Sequence, residues 1–132
     1  MKVLVLVLFV AAAVKSDISL SPEENTRIME INGACIKESG VSEEVLKGIM
    51  TGNFPDDPAL KTHLVCFAKT AGLIDENGNP IKDKIIKRMT MRLGDEAKAL
   101  KVYDKCYIDA ATLEERVFSS AKCAFNEIHG AK

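Results

Sequence analysis

Tryptophan is absent from the chain, and only two tyrosines and five phenylalanines occur in its 132 residues. The apolar stock is therefore aliphatic and methionine-rich, with Met29, Met50, Met89 and Met91 spread along it. Methionine fills irregular spaces and adapts to varied shapes. Histidine is scarce as well: His63 and His129 are the pair, and no two cysteines stand as Cys-x-x-Cys, so a zinc site lacks a ligand set. No Asn-x-Ser/Thr sequon is present, which removes N-glycosylation. An excess of basic charge is also missing. The 18 Lys and Arg stand against 19 Asp and Glu, a balance that argues against nucleic acid as a partner. It argues equally against a small cationic defence protein that attacks membranes.

What is present begins with compartment. Met1-Lys2 is a short positive start, and Val3 to Val14 is an unbroken apolar run ending near Ser16. That is the layout of a secretory signal peptide over residues 1–16, too short for a membrane span. No second run of that length follows, so stable membrane insertion is not expected. Asp17 to Lys132 then reads as one secreted, extracellular domain, near the size at which a core buries enough surface to fold alone. Four cysteines in an oxidising compartment, Cys35, Cys66, Cys106 and Cys123, imply two disulfides with three possible pairings.

The periodicity is helical throughout. Ser21-Pro22-Glu23-Glu24 is a cap, a proline at the first helical position and acids at the positive end of the helix dipole. Ile28, Ile31 and Cys35 follow at helical spacing, and Gly40 closes the segment. Ser42 starts a short second helix carrying Val45, Leu46, Ile49 and Met50, and Pro58 opens a third through Leu60, Leu64, Phe67 and Ala71. A fourth runs from about Lys82 to Arg92, with Ile85, Ile86 and Met89 inward. Asp95 caps a fifth carrying Ala99, Leu100, Tyr103, Cys106 and Tyr107. Thr112 to Glu115 form a capping box for the sixth, with Val117, Phe118, Ala121, Cys123 and Phe125 inward. The expected fold is all-α: a compact six-helix single domain. Its short elements, apolar over wide faces, suit helices surrounding an internal apolar cavity.

Catalytic and metal chemistry find little to build on. Asp75 to Ile86 begins like a calcium loop, but Pro80 stands where glycine is needed and Ile86 where a bidentate glutamate is needed. It reads as a turn. His63 has no acid or serine at a recognisable spacing, and the pairs Glu23-Glu24, Glu43-Glu44 and Glu114-Glu115 sit at helix starts, where the dipole explains them. No enzyme activity, metal or cofactor is expected.

The segments ACIKESGVS, LKTHLVCFAKTAGLID, YDKCYIDA and LEERVFSSAKCAF, taken with the signal peptide and six helices, resemble the insect odorant-binding proteins of the pheromone- and general-odorant-binding family. The resemblance covers essentially the whole chain after residue 16. That family typically carries six cysteines, the second four residues before the third and the fifth nine before the sixth. Here Cys66 and Cys123 match the third and sixth, so the missing second and fifth fall at Thr62 and Glu114. The chain thus resembles the four-cysteine, "C-minus" branch. The resemblance implies the pairs Cys35–Cys66 and Cys106–Cys123, and one absent bridge between the third and sixth helices, with Thr62 and Glu114 facing one another.

It also implies a function: a carrier enclosing a small hydrophobic or amphipathic ligand, such as an odorant or pheromone, as a monomer or weak dimer, with an olfactory receptor as a further partner. A carrier of a hormone, lipid or seminal or salivary factor would share the fold. The inward helical faces nominate Ile28, Ile31, Ile49, Phe54, Leu64, Ala68, Ile86, Met89, Leu100, Tyr103, Val117 and Ala124 as pocket lining, with Tyr103 or Ser120 offering a hydroxyl. The segment after Cys123 is too short for an extra inserted helix but long enough for a lid.

Overall fold

The structure, a computed structural model of the chain, describes residues 22–130; the expected signal peptide and the Ser21 cap lie outside them. Six helices follow in order: α1 Pro22–Ser39, α2 Glu43–Ile49, α3 Pro58–Thr70, α4 Lys82–Leu93, α5 Glu96–Cys106 and α6 Leu113–Gly130. The described residues contain no β-strand, only an isolated bridge between Ile74 and Pro80.

The helix starts follow from local chemistry. The first N–H groups of a helix lack intrahelical acceptors, and short polar side chains supply them. Ser42 Oγ accepts from the Val45 amide at 3.2 Å. Asp57 Oδ1 accepts from Ala59 and Leu60, and Asp95 Oδ1 from Ala97 and Lys98. Thr112 Oγ1 accepts from Glu115 N at 3.1 Å. The capping box at α6 is only half made, because the Glu115 carboxylate turns to Lys61 instead. Gly94, in the left-handed conformation at φ +71°, ends α4 and lets Asp95 start α5 at once.

Packing runs α1 against α3, α3 against α6, α6 against α5, and α5 against α4. Two apolar clusters result. The first joins Val41, Leu60 and Phe118, with Leu46, Ile49, Phe54 and Leu64 around them. The second joins Ile86, Met89, Ala99, Val102 and Cys106, with Tyr103, Cys123, Ala124 and Ile128 around them. The two disulfides are Cys35–Cys66, between α1 and α3, and Cys106–Cys123, between α5 and α6. Each closes a chain segment that the unfolded state would otherwise leave open, a contribution of roughly 3–4 kcal/mol on the loop-entropy account.

The segment Asp75 to Pro80 is a turn organised by its first residue. Asp75 Oδ1 accepts from the amides of Asn77 and Asn79, both at 2.9 Å, and Gly78 N donates to Asp75 O. Gly78 is buried at φ +85°, and a Cβ there would lie 2.9 Å from Leu113 Cδ1. The turn thereby seats against the start of α6 and closes that end of the molecule.

Candidate ligand-binding cavity

Between the two clusters the helices leave a cavity of about 380 Å³, within the range of small-molecule sites. Its wall draws on α3 (Leu64, Phe67, Ala68), α4 (Ile85, Arg88, Met89, Arg92), α5 (Val102, Tyr103, Cys106) and, over its full length, α6 from Leu113 to His129. Ile49 and Phe54 close it from the α2 side, and Ile74, Gly78 and Pro80 from the turn. The surface is overwhelmingly apolar, so an apolar molecule entering it leaves water at about 25 cal/mol per Å² buried.

Aromatic rings shape one end. Phe54 meets Phe118 and Phe125 edge to face, with centroids 6.1 and 5.7 Å apart, and the Phe125 ring lies 4.3 Å from that of His129. The residues after Cys123 continue α6 rather than forming a separate lid, so Ala124, Phe125, Ile128 and His129 are part of the wall.

The polar groups on the wall are few. Ser120 Oγ accepts the Ile108 amide at 3.3 Å, pinning the 107–112 connection across α6 while leaving its own proton to donate. Burial, reinforced by Tyr107 and Asp104, pushes the Tyr103 phenol above its usual pKa, so it stays a protonated donor. Lys82 Nζ lies 5.2 Å above the Tyr103 ring. Arg88 stacks on Phe67, its guanidinium carbon 5.2 Å from the ring centroid. Burial is the main cause that lowers the pKa of Arg88; Arg92 and Arg27 add to this, and Glu24 opposes it. Guanidinium nonetheless keeps its charge in proteins. Arg116 Nε is fully buried without a hydrogen-bond partner.

Of the residues nominated from sequence, Ile49, Phe54, Leu64, Ala68, Met89, Tyr103, Val117, Ser120 and Ala124 stand on the wall. Four do not. Ile31 is buried and Ile28 half-buried on α1, which packs against α3 and adds no residue to the wall. Ile86 faces the second cluster, and Leu100 is 38% exposed on the outer face of α5. Helical periodicity marks an apolar face but does not say which neighbour covers it.

The wall also holds Arg88, Arg92, Arg116, Phe67, Leu113, Phe125 and Ile128, which sequence reasoning passed over as cavity residues. A signal existed. Ile85, Arg88, Met89 and Arg92 form one helical stripe, as do Leu113, Arg116, Val117 and Ser120. A cation inside an otherwise apolar stripe is the mark of a polar group turned inward.

His63 belongs elsewhere. It is 2% exposed, and its Nε2 pairs with Asn32 Oδ1 on α1 at 3.2 Å. Burial dominates and pushes its pKa below the ordinary value; the Cys35 backbone pulls the other way without satisfying Nδ1. Thr62 and Glu114 are both exposed and share no hydrogen bond. The residues beside them do pair: the Lys61 ammonium meets Glu115 on α6 and also Asp56, and these acids, Asp56 first, raise its pKa. Cys35, Glu38 and Cys66 bring two sulfurs and a carboxylate together, but both sulfurs are consumed in the disulfide and carry no thiolate to a metal.

A six-helix fold that holds an apolar cavity and is stapled by two disulfides has counterparts among known proteins. The model of the PBP/GOBP family matches residues 18–127. The chain belongs to the PBP/GOBP family. Its four cysteines and two disulfides fit the four-cysteine branch of that family. The B1 protein of Tenebrio molitor is 30% identical over 124 residues, which span 94% of this chain and 90% of that one. Two solved structures share the fold. The odorant-binding protein dmelOBP28a of Drosophila melanogaster aligns with a TM-score of 0.69 at 20% identity, over 83% of this chain and 95% of its own. The fatty acid binding protein OBP56a from the oral disk of the blowfly Phormia regina aligns with a TM-score of 0.67 at 23% identity, over 86% and 97%. No helix of the described residues is long and apolar enough to cross a membrane.

Proposed function

We propose that this PBP/GOBP family member is a secreted carrier, led out of the cell by residues 1–16, that encloses one small apolar or amphipathic molecule in the cavity between its two clusters. The observation that carries the reading is the cavity itself. Nothing about a core requires about 380 Å³ of unfilled space, and leaving apolar side chains uncovered on one side forfeits their packing contacts. A family fold that keeps such a void gains it back when a ligand fills it. Desolvation of the ligand supplies the affinity, and Tyr103 and Ser120 supply donors to a carbonyl or hydroxyl.

Odorant or pheromone transport, with delivery to a receptor, is one setting for this activity. Carriage outside olfaction is the other, and the description of OBP56a as a fatty acid binding protein from an oral disk favours keeping it in view. Both need the same binding event. The disulfide-bonded chain, stripped of lipid, should take up the neutral fluorophore N-phenylnaphthylamine saturably with micromolar affinity, about −8 kcal/mol. Fluorescence that rises linearly without saturation would remove the reading.

A further inference from the structure

The charge on the cavity wall is one-sided. Arg88, Arg92 and Arg116 line it, and among the described residues no aspartate, glutamate or lysine does. The chain has far more lysines than arginines, yet every arginine except Arg27 is placed there. Lysine and arginine are not interchangeable: the planar guanidinium offers paired N–H donors that fit a carboxylate in two parallel bonds.

Two of these arginines lie toward the same end. Phe54 meets Phe125 and Phe118, while Lys61 meets Phe118 and Glu115. Contacts thus move down α6 as the chain advances into α3. Phe67 lies six residues beyond Lys61, about 9 Å further along the helix, and so toward the start of α6. Arg88 stacks on Phe67, and Arg116 sits in the first turns of α6. At that end the positive pole of the α6 dipole adds to the field.

The counter-charges among the described residues leave Arg116 unsatisfied. Lys61 takes Glu115, and Glu24 acts on Arg88 from α1, outside the wall. Among the described residues Arg116 makes no ion pair, and its buried Nε–H has no acceptor. Such a group costs free energy that an incoming acceptor recovers. Arg92 repels Arg88, and an anion between them relieves that as well.

We propose, resting on the carrier reading above, that the cavity selects amphiphiles with a carboxylate head, held by Arg116 and Arg88 at the α6 N-terminal end, their apolar tails running toward Phe125 and Ile128. A neutral alcohol or ester of the same chain length gains the same desolvation but offers no anion to the Arg116 guanidinium. Discrimination then comes from the head and affinity from the tail.

Displacement of N-phenylnaphthylamine from the full disulfide-bonded chain near neutral pH tests this. Dodecanoate, dodecanol, methyl dodecanoate and dodecyl phosphate are the competitors. Dodecanoate should displace the fluorophore at a concentration roughly tenfold or more below that of dodecanol or the ester. In Arg116→Met that ratio should fall toward one, because dodecanoate weakens far more than dodecanol does. Arg88→Met should lower the ratio in the same way, and Arg116→Lys should keep part of it, because lysine restores the charge without the fork. Equal displacement by acid and alcohol in the unmodified chain overturns the proposal. So does tightest binding of dodecyl phosphate, or loss of dodecanol affinity in Arg116→Met equal to that of dodecanoate. The unmodified chain and Arg88→Met decide the matter if Arg116→Met does not fold. Failure of the fluorophore to bind at all strikes the carrier reading instead, a different outcome from equal displacement.

Discussion

The α1–α3 and α3–α6 seams meet on the same helix and are held by different chemistry. At the first, a disulfide joins the buried Cys35 to the half-buried Cys66, beside His63 and Asn32. At the second, where relatives with six cysteines would place a further bridge, Lys61 reaches across to Glu115. A disulfide acts mainly on the unfolded chain, whatever the solvent does. An ion pair at a partly exposed seam is screened by salt and contributes little. The cavity lies along the weaker seam: Leu64, Phe67 and Ala68 on α3 face a wall built from the length of α6. The fold is thus tied covalently at one seam of α3 and by charge at the other, along which the cavity lies.

The largest effect should come from cutting the strong seam. Cys35→Ser/Cys66→Ser is expected to cost about 3–4 kcal/mol and to lower Tm by roughly 10 °C or more, read by thermal denaturation. Cys106→Ser/Cys123→Ser should cost slightly less, since it opens 17 residues rather than 31. Equal stability of either variant and the native chain would dissolve the contrast between seams.

Strengthening the weak seam should give an intermediate effect. Thr62→Cys/Glu114→Cys is expected to form a third disulfide and to stabilise by about 1–3 kcal/mol, less than loop entropy alone implies because engineered bridges carry strain. It should also slow entry of the fluorophore. Mass spectrometry finding two free thiols under oxidising conditions would show that these positions do not meet.

The smallest effects separate the seams by what they respond to. His63 has a folded-state pKa below its unfolded value near 6.5. Its contribution is therefore present above that pH and is lost as pH falls below it, because the unfolded chain takes up a proton the folded one refuses. Unfolding free energy should fall between pH 6.5 and 5 by at most about 1.4 kcal/mol per unit, and His63→Gln should flatten that slope. Glu115→Gln should instead reduce stability only at low ionic strength. A pH slope unchanged by His63→Gln, or a Glu115→Gln effect that persists in high salt, would merge the two cases.

Much of the fold was legible because its signals are local. Ser42, Asp57-Pro58, Asp95 and Thr112 each mark a helix start through a side chain that reaches its own backbone, and such bonds need no knowledge of the rest of the chain. The cavity wall was legible only in part. Ile49, Leu64, Met89 and Ala124 were found by their inward periodicity, but so were Ile31 and Ile86, which packing covers with other helices. The arginines were missed because a charge is ordinarily read as solvent-facing. Arg88 and Arg116 face inward on stripes whose apolar members are the visible part of the pattern.

The sequence by itself determined the six short helices of the described residues and implied two disulfides. These follow from composition, spacing and capping, which act within a few residues. Only the tertiary structure decided which apolar faces meet each other and which meet empty space. It also brought cations from α4 and α6 to one apolar wall. Cavities are set by how whole helices stack, through contacts between residues far apart in sequence, and no local pattern encodes that distance.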